Sequence, residues 1–400
     1  MMPASIKLDN IGCLTTLGSN GVKYIYNTSL LIEKDRIVAI GSGDGEKTID
    51  CKGKLLTPGF VDSHTHPIFV DLRSEEHRLR LSGTTYEEIA ENGGGIVSSV
   101  ESVRTATVDR LYEKSISRIE RFIALGTTTI EAKSGYGLDT ESELKSLKVI
   151  EKISNNHIID IVPTFMGAHA FPKDFLENKE AFVRLICEEM IPAVHEQGIA
   201  EFIDVFCEEG YFSIEQSRKI IEIGKSFGLK PRIHADEFNN FGASTLAGEI
   251  DSFSADHLMK IDNNGIKSLK ENNVIATLLP GTTFFLNKSA YAPARKLIDS
   301  GVTVALATDF NPGSCHIQSM PFIITLAVMN MSISIEEAFL GATINGAKAL
   351  GLDSEIGSIE IGKKADIILW DISNLFDIPY YVTDHPIRAV IKNGEIVFGS

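Results

Sequence analysis

Phe202-Ile203-Asp204-Val205-Phe206, a polar amphipathic stretch from Ser213 to Phe227, then Gly228, then Pro231-Arg232-Ile233-His234: a short apolar run, a helix-like segment with a glycine stop, and the next apolar run. A buried strand, a helix and a second buried strand make one parallel β-α unit. Working outward, the theme repeats. Before it stand Gly59-Phe60-Val61-Asp62, Thr127-Thr128-Thr129-Ile130 and Ile158-Ile159-Asp160-Ile161-Val162. After it stand Ser252-Phe253-Ser254-Ala255, Val274-Ile275-Ala276-Thr277-Leu278 and Val302-Thr303-Val304-Ala305-Leu306. Helix-like stretches run from Asp109 to Leu125, Glu141 to Asn155 and Phe182 to Gln197, and Gly126 and Gly198 supply the residue that ends a helix in the left-handed conformation. Eight such runs that close on themselves predict a (β/α)8 TIM-type barrel. An open doubly wound sheet is the alternative, and the absence of G-x-G-x-x-G after the first run counts against it.

The two ends read differently. Leu30 to Ile40 is a hairpin with its turn at Lys34-Asp35, and Ala389 to Phe398 is two β runs around Asn393-Gly394, a strong two-residue turn signal. Residues 1–56 and 350–400 are therefore expected to form one small β-sandwich domain built from both termini, with residues 57–349 as the barrel.

Composition narrows the function classes. The 400 residues carry 38 basic and 54 acidic side chains, and 38 − 54 gives a net charge of −16. A chain this acidic repels phosphate backbones and anionic lipid, so neither nucleic acid nor a membrane is expected as a partner. The five cysteines lie far apart with no C-x-x-C, which reads as reduced thiols. No basic leader precedes an apolar core at the N-terminus, so a cytoplasmic location is expected.

Chemistry gathers at the ends of the expected strands. The first runs into Asp62-Ser63-His64-Thr65-His66, and residues i and i+2 of an extended chain point to the same side. The fifth ends in His234-Ala235-Asp236-Glu237, the sixth in Asp256-His257 and the eighth in Thr308-Asp309. Any one of these is ordinary in a polar turn. Together they stand where barrel enzymes place their sites. His64, His66, His234 and Asp309 suit one ion of zinc or iron, with room for a water. Such an ion lowers the pKa of water and polarises a carbonyl. Asp309 is then the candidate proton shuttle, with His257 orienting the attacking water.

These residues, with Pro58 to His66, Gly93-Gly94-Gly95-Ile96, Lys133-Ser134-Gly135-Tyr136-Gly137-Leu138, Phe165-Met166-Gly167-Ala168-His169, Leu279-Pro280-Gly281-Thr282-Thr283-Phe284 and Ala307 to Ser314, resemble the amidohydrolase superfamily. The Lys-Ser-Gly-Tyr-Gly and Met-Gly-Ala-His words resemble, more narrowly, its imidazolonepropionase family. The resemblance implies hydrolysis of a cyclic amide C–N bond in 4-imidazolone-5-propanoate during histidine degradation. It implies one metal ion per chain, Zn2+ or Fe2+/Fe3+, on His64, His66, His234 and Asp309, and a homodimer. Catalytic roles fall to Asp309, His257 and Glu237, and substrate contacts to Arg73, Tyr136, His169, Glu237, His257, Asn311, Gly313 and Ser314. Arg73 offers a planar fork for the propionate in an otherwise acidic protein. Asn311, Gly313 and Ser314 fit an anion-binding turn.

Two departures from the family pattern stand out. Pro67-Ile68-Phe69-Val70-Asp71-Leu72 occupies the place of a usual glycine pair, which stiffens the approach to Arg73. The fourth strand, Phe206-Cys207-Glu208-Glu209, has no lysine to bridge two metals, so one ion is expected. A purine or pyrimidine aminohydrolase shares the His and Asp set but has no need of a propionate grip. A non-catalytic scaffold of the same fold has no reason to keep the ligands. The segment Asn92 to Gly95 reads as a tight turn or a closing loop.

Overall fold

The computed structural model describes residues 5–19, 21–84, 88 and 94–399. Asn92 and Gly93 lie outside the described residues. The chain opens with β1 (Ser5–Gly18), β2 (Gly21–Glu33), β3 (Arg36–Ile40), β4 (Lys47–Asp50) and β5 (Leu55–Pro58). The barrel strands follow: β6 (Phe60–Asp62), β7 (Thr127–Lys133), β8 (Asp160–Ala168) and β9 (Phe202–Cys207), then β10 (Lys230–Ala235), β11 (Ser254–His257), β12 (Ile275–Leu278) and β13 (Val304–Leu306). The chain ends with β14 (Ile367–Trp370), β15 (Ile387–Lys392) and β16 (Glu395–Gly399).

Strands β6 to β13 form one eight-stranded sheet in sequence order, with parallel neighbours throughout. The two edges are drawn together just past the strand ends. Thr65 pairs with Phe310, the Asp309 N–H donates to the His64 carbonyl (3.0 Å), and the His66 N–H donates to the Phe310 carbonyl (2.8 Å). Buried Asp62 accepts from the Thr308 N–H and hydroxyl at 3.0 and 2.6 Å. This seam sets His64, His66 and Asp309 side by side, so closing the barrel and building the site are one event.

The terminal sheet runs β16-β15-β14-β5-β1-β2-β3, with β4 pairing the first half of β1. β1 serves two neighbours because it breaks register between Leu8 and Ile11, where Asn10 takes φ +54°. Before the break it pairs with β4, and after it with β5. Each terminus supplies only part of the sheet, so the small β-sandwich cannot form until both ends of the chain meet.

One helix reading and one strand reading are refined. The Phe182–Gln197 stretch is helix Lys179–Leu185, a π turn Ile186–Met190 and helix Ile191–Gln197. Pro192 cannot donate back to the preceding turn, and one widened turn absorbs the missing bond. The sixth strand begins two residues later than its apolar run, because the Ser252 hydroxyl ties the turn to the Pro231 and Ser254 carbonyls. That shift carries the strand through His257.

Inside the barrel, below the site, the core is ionic. Lys133 Nζ pairs with Glu131 and Asp204, each at 2.7 Å, and Arg232 Nη2 pairs with Asp256 at 3.0 Å, all fully buried. Glu131 with Lys133, and Arg232 with His234, are i, i+2 pairs that their strands point inward.

Candidate active site

The strand ends bring four imidazoles and one carboxylate together. His64 Nε2 lies 3.2 Å from His66 Nε2. Asp309 Oδ1 lies 3.6 Å from each of these nitrogens. His64, His66 and Asp309 form one triad of donor atoms within 4.8 Å of one another, and His64, His234 and His257 form a second. The expected quartet is thus spread over two triads that share His64, and His257 stands beside it.

Buried carboxylates set the ring faces. His64 Nδ1 meets Asp256 Oδ2 at 2.6 Å, and His234 Nδ1 meets Asp204 Oδ1 at 3.0 Å. A carboxylate on Nδ1 holds the proton there and leaves Nε2 with a lone pair aimed into the site. Burial, with Lys133 and neighbouring rings adding to it, pushes His64 well below its usual value, and burial does the same to His66 and His234. The lone pair of His64 Nε2 faces His66 Nε2 at 3.2 Å, His66 Nδ1 is buried without a partner among the described residues, and three donor atoms spaced 3.2 to 3.6 Å apart suit bonds of about 2.1 Å to one ion. The residues present fit a metal ion.

Asp309 leaves the end of β13 at φ +53°, and its Oδ2 accepts from the Thr282 hydroxyl at 2.5 Å. Burial pushes its carboxyl up to about 7, against the hydrogen bonds from Thr282 and Asn311. His257 and Leu258 are both in the left-handed region, at φ +78° and +58°, an unusual conformation for side chains that tends to persist at functional sites. Glu237 Oε2 lies 3.7 Å from His257 Nδ1. Burial, then the Asp309 charge, push Glu237 up to about 8, while Lys288 opposes.

A cavity of about 640 Å³ opens over this cluster, lined by every expected substrate contact: Arg73, Tyr136, His169, Glu237, His257, Asn311, Gly313 and Ser314. The structure changes what several of them offer. Arg73 stands at the start of the helix Ser74–Leu81, with Nε and Nη2 each 2.8 Å from Glu76 Oε2. The rest of its fork lies against Gly313, where a Cβ would come within 2.3 Å of Nη1. Asn311 folds its own turn: Oδ1 accepts from the Gly313 and Ser314 N–H groups at 2.8 and 2.7 Å. Those N–H groups face Asn311 rather than an anion, and the part Gly313 plays here is to make room for Arg73. His169 Nδ1 donates to the Gly135 carbonyl at 2.9 Å, so its neutral ring presents Nε2 as an acceptor. Burial pushes His169 down to about 4.

The stiff segment before Arg73 is held from outside. Arg118 donates to the carbonyls of Phe69 (2.5 Å) and Val70 (3.0 Å), and its guanidinium stacks 3.5 Å over the Phe69 ring. Lys133, the residue of the family's loop word, is an ammonium clasped by Glu131 and Asp204 below the metal-type cluster. Arg80 and Lys288 also line the cavity, and Arg80 Nη2 donates to the Gly313 carbonyl at 2.7 Å. Sequence reasoning did not single out Arg80, Lys288, Thr282 or Asp204, and it named Asp256 only as a strand-end carboxylate without a role. Arg80 alone had a signal, seven residues from Arg73 on one helix face.

A barrel with imidazoles and a carboxylate at its strand ends defines a class, and the sequence agrees: a profile of the Amidohydrolase family matches residues 55–397, and the chain belongs to that family. Within it the chain stands among the imidazolonepropionases. It is 43% identical to that of Alkaliphilus metalliredigens (strain QYMF) over 99% of this chain and 98% of the relative. The imidazolonepropionase of Shouchella clausii (strain KSM-K16) is 49% identical over 88% of this chain and 78% of its own. Among solved structures, 5-methylcytosine deaminase from Klebsiella pneumoniae superposes with a TM-score of 0.78 at 16% identity, covering 98% of each chain. An adenosine deaminase from Xanthomonas campestris with bound zinc gives 0.71 at 17% identity, over 99% of this chain and 92% of that one. At such identities the likeness speaks for the fold.

Proposed function

We propose that this protein hydrolyses the ring amide C–N bond of 4-imidazolone-5-propanoate, giving N-formimidoyl-L-glutamate. The observation that carries this reading is the 42–49% identity to curated imidazolonepropionases. The cavity chemistry supports it, with a metal-type cluster at one end and Arg73 at the other.

One metal ion, Zn2+ or Fe2+/Fe3+, would be held by His64, His66, His234 and Asp309, and when bound it would make water more acidic and polarise the ring carbonyl. The side chains do the rest. Arg73 and Tyr136 hold the propionate, which fixes the ring over the cluster. Asp309 takes the proton of the attacking water and returns it to the departing ring nitrogen, so that the C–N bond breaks as an N–H forms. His257 orients the water. Glu237 hydrogen-bonds a ring N–H. We assign catalysis to residues 57–349 and the β domain to residues 1–56 and 350–400. Among the described residues no helix is long and apolar enough to cross a membrane, and a cytoplasmic homodimer is our expectation.

The test is to supply 4-imidazolone-5-propanoate to metal-replete protein and follow the ring absorbance. Decay with release of N-formimidoyl-L-glutamate is expected, and a stable absorbance would overturn the assignment. Elemental analysis should give about one transition-metal ion per chain.

A further inference from the structure

The loop Gly135–Leu138, which carries Tyr136, is shaped by a residue with no part in the proposed chemistry. Glu143 lies fully buried in the first turn of the helix Thr140–Asn156. Its Oε2 accepts from the Gly135 N–H at 2.9 Å, and its Oε1 from the Gly137 and Leu138 N–H groups at 2.8 and 2.9 Å. The Ser134 hydroxyl also bonds it. Helix capping does not require this carboxylate, because Asp139 Oδ1 already takes the Ser142 N–H at 2.8 Å. The loop carbonyls are tied from the other side. Arg104 donates from Nε to Gly137 (2.7 Å) and from Nη2 to Leu138 (2.9 Å). Gly137 allows this packing: a Cβ there would come within 2.7 Å of the Glu143 amide nitrogen. The Gly135 carbonyl, oriented by the same loop, accepts from His169. One buried carboxylate therefore fixes the loop from which both Tyr136 and His169 take their positions.

We propose that Glu143, with Arg104 completing the clasp, is the positioning residue for the grip on the substrate's propionate, an inference that rests on the imidazolonepropionase reading. In Glu143→Gln, one acceptor oxygen becomes an N–H donor facing a loop N–H, and the loop loses its shape. The metal-type cluster is not touched. The test compares two substrates: 4-imidazolone-5-propanoate and the same ring bearing methyl in place of the propionate. For the full substrate kcat/KM should fall about 10- to 100-fold, mostly through KM. For the truncated one it should change by less than about threefold, with metal content unaltered. An equal fall for both substrates, or no fall, in folded Glu143→Gln overturns the proposal. Should that variant fail to fold, Arg104→Gln at its half-buried position must show the same contrast, and equal effects on both substrates there overturn it. A wild-type protein inactive on the full substrate removes the imidazolonepropionase reading, and the proposal with it.

Discussion

At the residue scale, identity set the chemistry available and neighbours set how it is presented. Arg73 meets a carboxylate with a planar fork that lysine lacks. Arg73→Lys is expected to raise KM for the imidazolone about 10- to 100-fold, with metal content by elemental analysis unchanged. Gly313→Ala should move KM the same way without touching the charge, because its Cβ would come 2.3 Å from Arg73 Nη1. An unchanged KM in both variants would remove Arg73 from the grip. His169 yields a prediction of different kind. Burial pushes it down to about 4, so the ring is neutral at pH 7. A carboxylate seated beside it favours the charged ring and moves that value up. Binding of a propionate-bearing inhibitor should therefore tighten as pH falls from 7 toward 5, read by calorimetry across that range, and His169→Asn should flatten the dependence.

At the element scale, the strands and their glycine-stopped helices were legible because alternating short apolar runs and amphipathic stretches have few packings. The loops were not, since side chains far along the chain shape them. Pro67 to Leu72 lacks the expected glycines, and its backbone is held by Arg118, on the helix Val108–Ala124. Arg118→Met leaves the buried Phe69 and Val70 carbonyls without these donors and should cost about 2–4 kcal/mol in urea unfolding. KM should rise as well, because the same segment leads into Arg73. The turn Asn311–Ser314 also needed three dimensions: its residues could be read as an anion nest, yet its N–H groups close onto Asn311.

At the scale of the whole molecule, an ion cluster joins the barrel to the terminal sheet. Asp160 Oδ2, at the start of β8, accepts from Lys392 Nζ on β15 at 2.7 Å and from Lys364 Nζ at 2.9 Å. Lys392 also pairs with Asp366 at 2.7 Å. Burial alone would raise the Asp160 carboxyl, but Lys392 and Lys364 outweigh it and hold the group below the usual carboxylate range. Its folded value is depressed, so its contribution is complete above the unfolded value of about 3.9 and is lost as pH falls through the folded one. Asp160→Asn should lower stability by about 1–3 kcal/mol at pH 7. The gap from wild type should close in acid below about pH 4, as measured by denaturant unfolding across pH. The sequence alone determined the alternation of strands and helices, the hairpins at both ends, and the imidazoles and carboxylate at the strand ends, because hydrophobic period and turn residues are local properties. Only the tertiary structure decided which of those groups meet, which nitrogen each imidazole presents, and what holds the substrate loops. Those depend on buried partners such as Asp204, Asp256, Arg118 and Glu143, far along the chain from the groups they orient and charged like any surface residue until the fold encloses them.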